Sequence, residues 1–271
     1  MPTTSSATTD VTPFVTKLHG VINASPDSLN ADSIATTPAA AVTRAERLLD
    51  AGCAGIDLGG QGSTDAATVV DPMVEWERVR TIVPALAKLR AARGRVDLSI
   101  DTWKPEVAAL ALQAGANILN AADGMQRDEM WPVAADHAEL VVMPFLNGPD
   151  PRHLSHFGDD DDPVDVMVAW FEERLAHADR FDLRARMILD PGTGFAPPAW
   201  PWEQRYIFQK HVYSNLDLLR VFGLPLYIAL PWKETAQHDE LLEIVLRQKV
   251  EYGRTHYPGK VVRMARSIGF A

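Results

Sequence analysis

The chain has 271 residues, 46% hydrophobic and 23% charged, enough to bury one substantial core and ordinary for a one-domain α/β barrel. Its 26 Lys and Arg against 36 Asp and Glu give a net charge of −10, which excludes the basic surface that nucleic-acid phosphates or an anionic membrane require. The lone cysteine, Cys53, excludes an internal disulfide, and no basic leader with an apolar run precedes the first strand, so a cytoplasmic protein is expected.

Residues 1–16 are rich in Ser and Thr without periodicity and are expected to form a flexible segment ahead of a single domain at 17–271. From there, apolar runs of strand length alternate with segments of helical period, the pattern of repeated βα units around a parallel sheet. Strands are predicted at 17–22, 54–58, 96–100, 117–119, 140–143, 187–189, 226–229 and 260–262. Helices are predicted at 38–51, 72–90, 104–114, 128–136, 163–177, 204–220 and 235–253. The fold class is therefore a (β/α)8, or TIM-type, barrel whose last outer helix is missing, and a second copy in a homodimer is one way to cover the gap. In the first helix Val42, Ala45, Leu48 and Leu49 share a face, and Gly52 supplies the C-terminal cap.

Two loops stand out. Residues 148–162 combine Pro149, Pro151 and Gly158 with four consecutive aspartates, which reads as a solvated loop rather than a metal site. Residues 196–202 pack prolines and tryptophans into a Pro-fixed connection to the next helix, with a lid as the alternative.

A barrel of this kind carries its active site at the C-terminal strand ends. Those ends bear Asn23, Asp57, Asp101, Asn120 and Asp190, with Lys233 and Arg263 after the seventh and eighth strands. One such Asp is commonly a helix cap or turn former, but five in equivalent places, beside Gly59-Gly60 and Pro191-Gly192-Thr193-Gly194, are more economically one site. A carboxylate and an amide together match the edge of a 2-amino-4-oxo pyrimidine, and Phe195 offers an apolar contact. Lys and Arg suit a phosphate, while Asn23 with Asp27 offers oxygen ligands to a hard cation such as magnesium. The histidines His137, His153, His156, His211, His238 and His256 are scattered, no Cys/His spacing fits zinc, and Cys53 reads as a small core hydrophobe.

Several of these segments resemble, in order, the signatures of dihydropteroate synthases. Val21-Ile22-Asn23-Ala24-Ser25-Pro26-Asp27-Ser28 is similar to that family's Asn-x-Thr-Pro-Asp-Ser opening. Ile56-Asp57-Leu58-Gly59-Gly60 with Ser63-Thr64, Ser99-Ile100-Asp101-Thr102, Asn120, and Leu189-Asp190-Pro191-Gly192-Thr193-Gly194-Phe195 follow. The resemblance implies a TIM barrel that joins p-aminobenzoate to 6-hydroxymethyl-7,8-dihydropterin diphosphate in folate biosynthesis, with Mg2+ assisting release of pyrophosphate. It implies that Asp101, Asn120, Asp190, Phe195 and Lys233 bind the pterin, that Asn23, Ser63, Thr64 and Arg263 bind the diphosphate, and that Asn23 holds the metal. Lys233, Arg263 and Asp101 become the catalytic candidates, with Asp27 and Asp57 beside them.

Departures from the pattern cluster on the second-substrate side. The family's Ser-Thr-Arg-Pro loop is here Gly62-Ser63-Thr64-Asp65-Ala66, and its Ser-Arg-Lys-Ser is Pro231-Trp232-Lys233-Glu234. Its closing Arg-Val-His-Asp is aligned with Arg263-Met264-Ala265-Arg266, Asn-Asp-Val with Asn120-Ala121-Ala122, and Met-His-Met with Met143-Pro144-Phe145. Retained pterin residues with altered partner loops fit a synthase-like transferase acting on p-aminobenzoate or a related nucleophile. A non-catalytic pterin-binding paralogue and a pterin-dependent methyltransferase are the alternatives.

Overall fold

The structure is a computed structural model, and it describes residues 16–26, 30–62, 67–148, 150–158, 160–197 and 199–270. The segment expected to be flexible lies outside them except for Thr16, whose hydroxyl donates to Val250 O at 2.8 Å. Eight parallel strands are present: β1 Lys17–Asn23, β2 Gly55–Gly59, β3 Asp97–Thr102, β4 Ile118–Ala121, β5 Leu140–Pro144, β6 Met187–Asp190, β7 Tyr227–Ala229 and β8 Tyr252–Thr255. The ladder runs β6-β5-β4-β3-β2-β1-β8-β7, and an isolated bridge between Leu189 and Leu226 all but closes the barrel.

Alternation along the strands sorts the core. Outward positions such as Ile56, Leu58, Leu98, Ile100, Leu119, Val141 and Leu189 join the helices in one large apolar cluster. Inward positions make a smaller cluster of Ile118, Val142, Ile188, Tyr227 and Tyr252. The next inward residue along β4, β6 and β8 is Asn120, Asp190 and Arg254, so the polar site is the top layer of the barrel interior.

The outer helices are α1 Pro38–Asp50, α2 Pro72–Val79, α3 Ile82–Arg93, α4 Pro105–Gln113, α5 Met130–His137, α6 Pro163–Ala178, α7 Trp202–Ser214, α8 Ala236–Arg247 and α9 Pro258–Ser267. The helix predicted at 72–90 is two, because Pro84 has no N–H for the carbonyl of Arg80 and its ring would clash there. Among the described residues no helix is long and apolar enough to cross a membrane.

The last unit overturns the expectation of a strand at 260–262 and a missing final helix. The eighth strand is Tyr252–Thr255, which begins within the end of what was predicted as helix 235–253. Its polar Arg254 and Thr255 hide the strand signal, and Gly253 packs closely, a Cβ there lying 2.8 Å from Leu230 Cδ1. Val261 and Ala265 are buried one helical turn apart behind Pro258, so the segment read as a strand is α9, and the outer ring is complete. The gap that suggested a homodimer is therefore filled within the chain.

Candidate active site

Arg254 stands at the centre of the top layer. Its guanidinium donates to Asp101 at 3.0 Å and lies 3.5 Å from Asp57, while Asn120 Nδ2 is 3.4 Å from both Asp57 oxygens. Burial alone would weaken the guanidinium's charge, but Asp101 and Asp57 outweigh it and hold Arg254 protonated. Asp190 is buried and accepts from the Gly192 N–H at 2.8 Å. That turn requires glycine: φ is +66° and a Cβ would lie 2.3 Å from Phe145 O.

Two of these carboxyls are hard to ionise. Burial, reinforced by Asp57 and opposed by Arg254, pushes Asp101 up to about 7. Burial likewise pushes Asp190 up to about 6 against the Gly192 hydrogen bond, and Asp123, between β4 and the Met130–His137 helix, up to about 6. Folded values above the unfolded one make a stabilising contribution that is complete below about 3.8 and lost as pH rises through the folded values. The urea midpoint of the unliganded protein is therefore expected to fall between about pH 6.5 and pH 8, above the range in which the depressed His256 and His238 act in the opposite sense, and Asp101→Asn is expected to flatten the slope. A midpoint rising across that window contradicts the assignment; the carboxyls held low, at Asp97 and Asp150, act only in more acidic solution.

Above Arg254 opens a cavity of about 490 Å³ lined by Phe195, Trp202, Tyr213, Trp232, Lys233 and His256 among others. Phe195 and Lys233 thus stand where expected, at the mouth. Asp57, Asn120 and Asp190 lie in the layer beneath, and Asp101 keeps 17% side-chain exposure. Asn23 ends β1, with Nδ2 donating to Ser33 Oγ at 2.8 Å and its oxygen turned toward Gly59. Asp27, Ser63 and Thr64 lie outside the described residues.

Arg263 is a correction. It sits on α9 and lines a separate outer groove of about 710 Å³ between α1 and α9, with Arg44, Arg47 and Lys260. The true strand-eight end supplies Arg254 and His256 to the mouth instead. Burial and the neighbouring Arg254 push His256 down to about 4, so the ring is neutral at pH 7.

The other sequence features have local work. Cys53 is buried in the core, and burial pushes its thiol up to about 12. In the acidic loop, Asp150 pairs with Arg152 at 2.7 Å, Asp161 accepts from Gly158 N, and Asp162 caps α6. Trp200 Nε1 donates to His156 at 3.1 Å, and Pro201 stands at the N-cap position of α7, in keeping with a Pro-fixed connection to that helix.

A family profile described as "Pterin binding enzyme" matches residues 19–237. A dihydropteroate synthase type-1 from Escherichia coli is 32% identical over 258 residues, 89% of each chain. This chain belongs to the pterin-binding enzyme family, among its dihydropteroate synthases. A Synechocystis dihydropteroate synthase is 31% identical over 79% of this chain and 70% of its own. Among solved structures, Yersinia pestis dihydropteroate synthase with a sulfonamide complex superposes with a TM-score of 0.77 at 24% identity, covering 93% of this chain and 92% of its own. The Anaplasma phagocytophilum enzyme with bound 6-hydroxymethylpterin-monophosphate gives 0.76 at 21% identity, covering 93% and 98%.

Membership makes the corrected end of the barrel intelligible. Arg254-Thr255-His256-Tyr257, at the end of β8, and not Arg263-Met264-Ala265-Arg266 on α9, carries the Arg-x-His spacing of the Arg-Val-His-Asp pattern. The histidine that looked lost is His256. Arg254 and His256 are thus the mouth residues that sequence reading missed, although the Arg-x-His spacing was the signal that could have found them.

Proposed function

We propose that the chain condenses 6-hydroxymethyl-7,8-dihydropterin diphosphate with p-aminobenzoate or a related arylamine and releases pyrophosphate. The observation that carries this is the buried Asp57-Asp101-Asn120-Asp190 layer around Arg254, directly beneath a cavity carrying Lys233 and His256. Carboxylates and an amide accept from and donate to the pterin's pyrimidine edge. Because Arg254 holds Asp101, the ring must draw that carboxylate away from the guanidinium or lie against both. Arg254, Lys233 and neutral His256 then face the diphosphate, where positive charge and a donor stabilise charge developing on the leaving group.

Magnesium fits this arrangement only with the substrate's help. Among the described residues no group of three or more His, Cys, Asp and Glu side chains is placed to hold a metal. Among the described residues Asn23, at the end of β1 with its oxygen turned toward Gly59, is the candidate protein ligand, and Mg2+ commonly takes one or two protein oxygens with the rest from phosphate and water. Bound there, the ion would neutralise part of the charge on the departing diphosphate. A cytoplasmic location belongs to the same proposal, resting on the single buried Cys53.

The experiment is pyrophosphate release from the pterin diphosphate and Mg2+, with and without p-aminobenzoate, alongside calorimetry with the pterin. Release that requires aminobenzoate establishes the reaction. Tight pterin binding without release overturns it in favour of a binding-only paralogue, and methyl transfer from a methylated pterin would favour the third reading.

A further inference from the structure

The outer groove between α1 and α9, about 710 Å³, is larger than the mouth. Four basic side chains line it, Arg44 and Arg47 from α1 and Lys260 and Arg263 from α9, against two carboxylates, Asp32 and Glu234. The chain as a whole carries a net charge of −10, so this face runs against the charge of the protein. The four cations differ in what holds them. Lys260 is matched internally: it is buried, and its ammonium lies 2.7 Å from Asp239 and 4.0 Å from Glu234. Arg44 is anchored through carbonyl oxygens, that of Val21 at 3.2 Å and that of Asp32, which fix the guanidinium without neutralising it. Arg47 and Arg263 are exposed, and among the described residues neither has a carboxylate within ion-pair distance.

Stability does not account for this arrangement. Arg44 and Arg47 are like charges three residues apart on one helix, a spacing that brings them together and works against the helix. Burial, with Arg47 adding to it and Asp32 opposing, weakens Arg44's hold on its proton. Arg263 turns back over the first turn of α9, its Nη1 lying 3.5 Å from where a Cβ on Gly259 would stand. That helix end carries partial positive charge and no side-chain cap, so a cation is unfavourable there. An anion in the groove relieves all of these repulsions together. The groove also adjoins the mouth: His256 lines both, and Trp232 of the mouth packs on His256 at 6.2 Å and on Tyr257 of the groove at 5.9 Å between ring centroids. One aromatic wall therefore has the mouth on one side and the basic groove on the other.

We propose that this groove is a second anion site, in which Arg47 of α1 and Arg263 of α9 take a phosphate-type anion of two or more charges with Arg44 behind them. The planar fork of each guanidinium matches two phosphate oxygens, and forks from two facing helices suit inorganic phosphate or pyrophosphate. The site does not depend on the condensation proposed above; that reaction would only supply pyrophosphate, released on the other side of the His256 wall.

The test is calorimetric titration of the full chain with inorganic pyrophosphate, and separately with inorganic phosphate, at about 0.15 M salt, where loose screening of exposed charges is largely lost. Wild type is compared with Arg47→Gln/Arg263→Gln. Both side chains are exposed, so the variant is expected to fold, with a urea midpoint in anion-free buffer no lower than that of wild type and with pterin affinity within about two-fold. It is expected to bind one pyrophosphate fewer per chain, and to lose the slowing of hydrogen exchange that pyrophosphate causes across α1 and α9 in wild type. Equal numbers of anions bound by the two proteins, or wild-type exchange in α1 and α9 that pyrophosphate leaves unchanged, would reduce the groove to a solvated basic face and overturn the proposal. Pyrophosphate that the variant still binds belongs to the mouth, so if the proposed reaction fails that anion is lost while the difference of one still decides the groove. Either anion in the groove supports the site, and the tighter of the two names its source, the released product or the free ion.

Discussion

Arg254→Met is expected to cost about 3 to 5 kcal/mol of folding stability at pH 8, the scale for removing one partner of a buried ion network, and to lower condensation by on the order of a hundred-fold or more. The guanidinium is the cation between Asp57, 1% exposed, and Asp101. Without it three carboxyls, Asp57, Asp101 and Asp190, share the layer, and Asp101, already pushed up to about 7 by burial and Asp57, rises further. The loss should therefore shrink toward pH 5, where Asp101 takes a proton in either protein. Urea unfolding at the two pH values reads this directly. Arg254→Met/Asp57→Asn is expected to recover most of the stability and little of the activity, since removing one carboxylate relieves the layer's unpaired charge but leaves no guanidinium to face a diphosphate. An equal loss at both pH values would mean that Arg254 acts through packing of its side-chain stem, not through charge.

The same residue shows where sequence patterning stopped. Seven strands are legible because their outward faces are runs of Ile, Leu and Val buried against helices, and that apolar run survives even when alternate residues face the site. In β8 the sequence is Tyr252-Gly253-Arg254-Thr255, with a glycine packed closely against Leu230 and an arginine demanded by Asp57 and Asp101. Function and close packing have replaced the apolar signal. Val261 and Val262 then mimic a strand, although Pro258 and the spacing of Val261 and Ala265 belong to a helix. Asn23, Asp57, Asp101, Asn120 and Asp190 were legible because each ends a readable strand. The grouping of Arg47 with Arg263 was not, because it joins two helices far apart in the chain and no local period marks it.

Asp190→Asn separates binding from folding. Asp190 spends one oxygen on the Gly192 N–H, which fixes the carboxyl's plane, so an asparagine keeping that bond turns its amide nitrogen toward the ring. Where the pterin offers a donor, two donors then oppose each other. Losing a hydrogen bond to a charged group costs about 1.5 to 3 kcal/mol, an affinity loss from about ten-fold to somewhat over a hundred-fold. Folding is expected to move the other way: the carboxyl is pushed up to about 6 by burial, so a neutral amide removes a desolvation penalty and leaves the variant at least as stable at pH 8. The check is calorimetry with 6-hydroxymethylpterin beside urea unfolding of the same samples. Unchanged affinity would take Asp190 out of the site, and weakened affinity with weakened folding would make it a structural residue of the turn. Weakened affinity in an equally or more stable protein is the outcome that marks a carboxyl kept, at a cost to the fold, for its ligand.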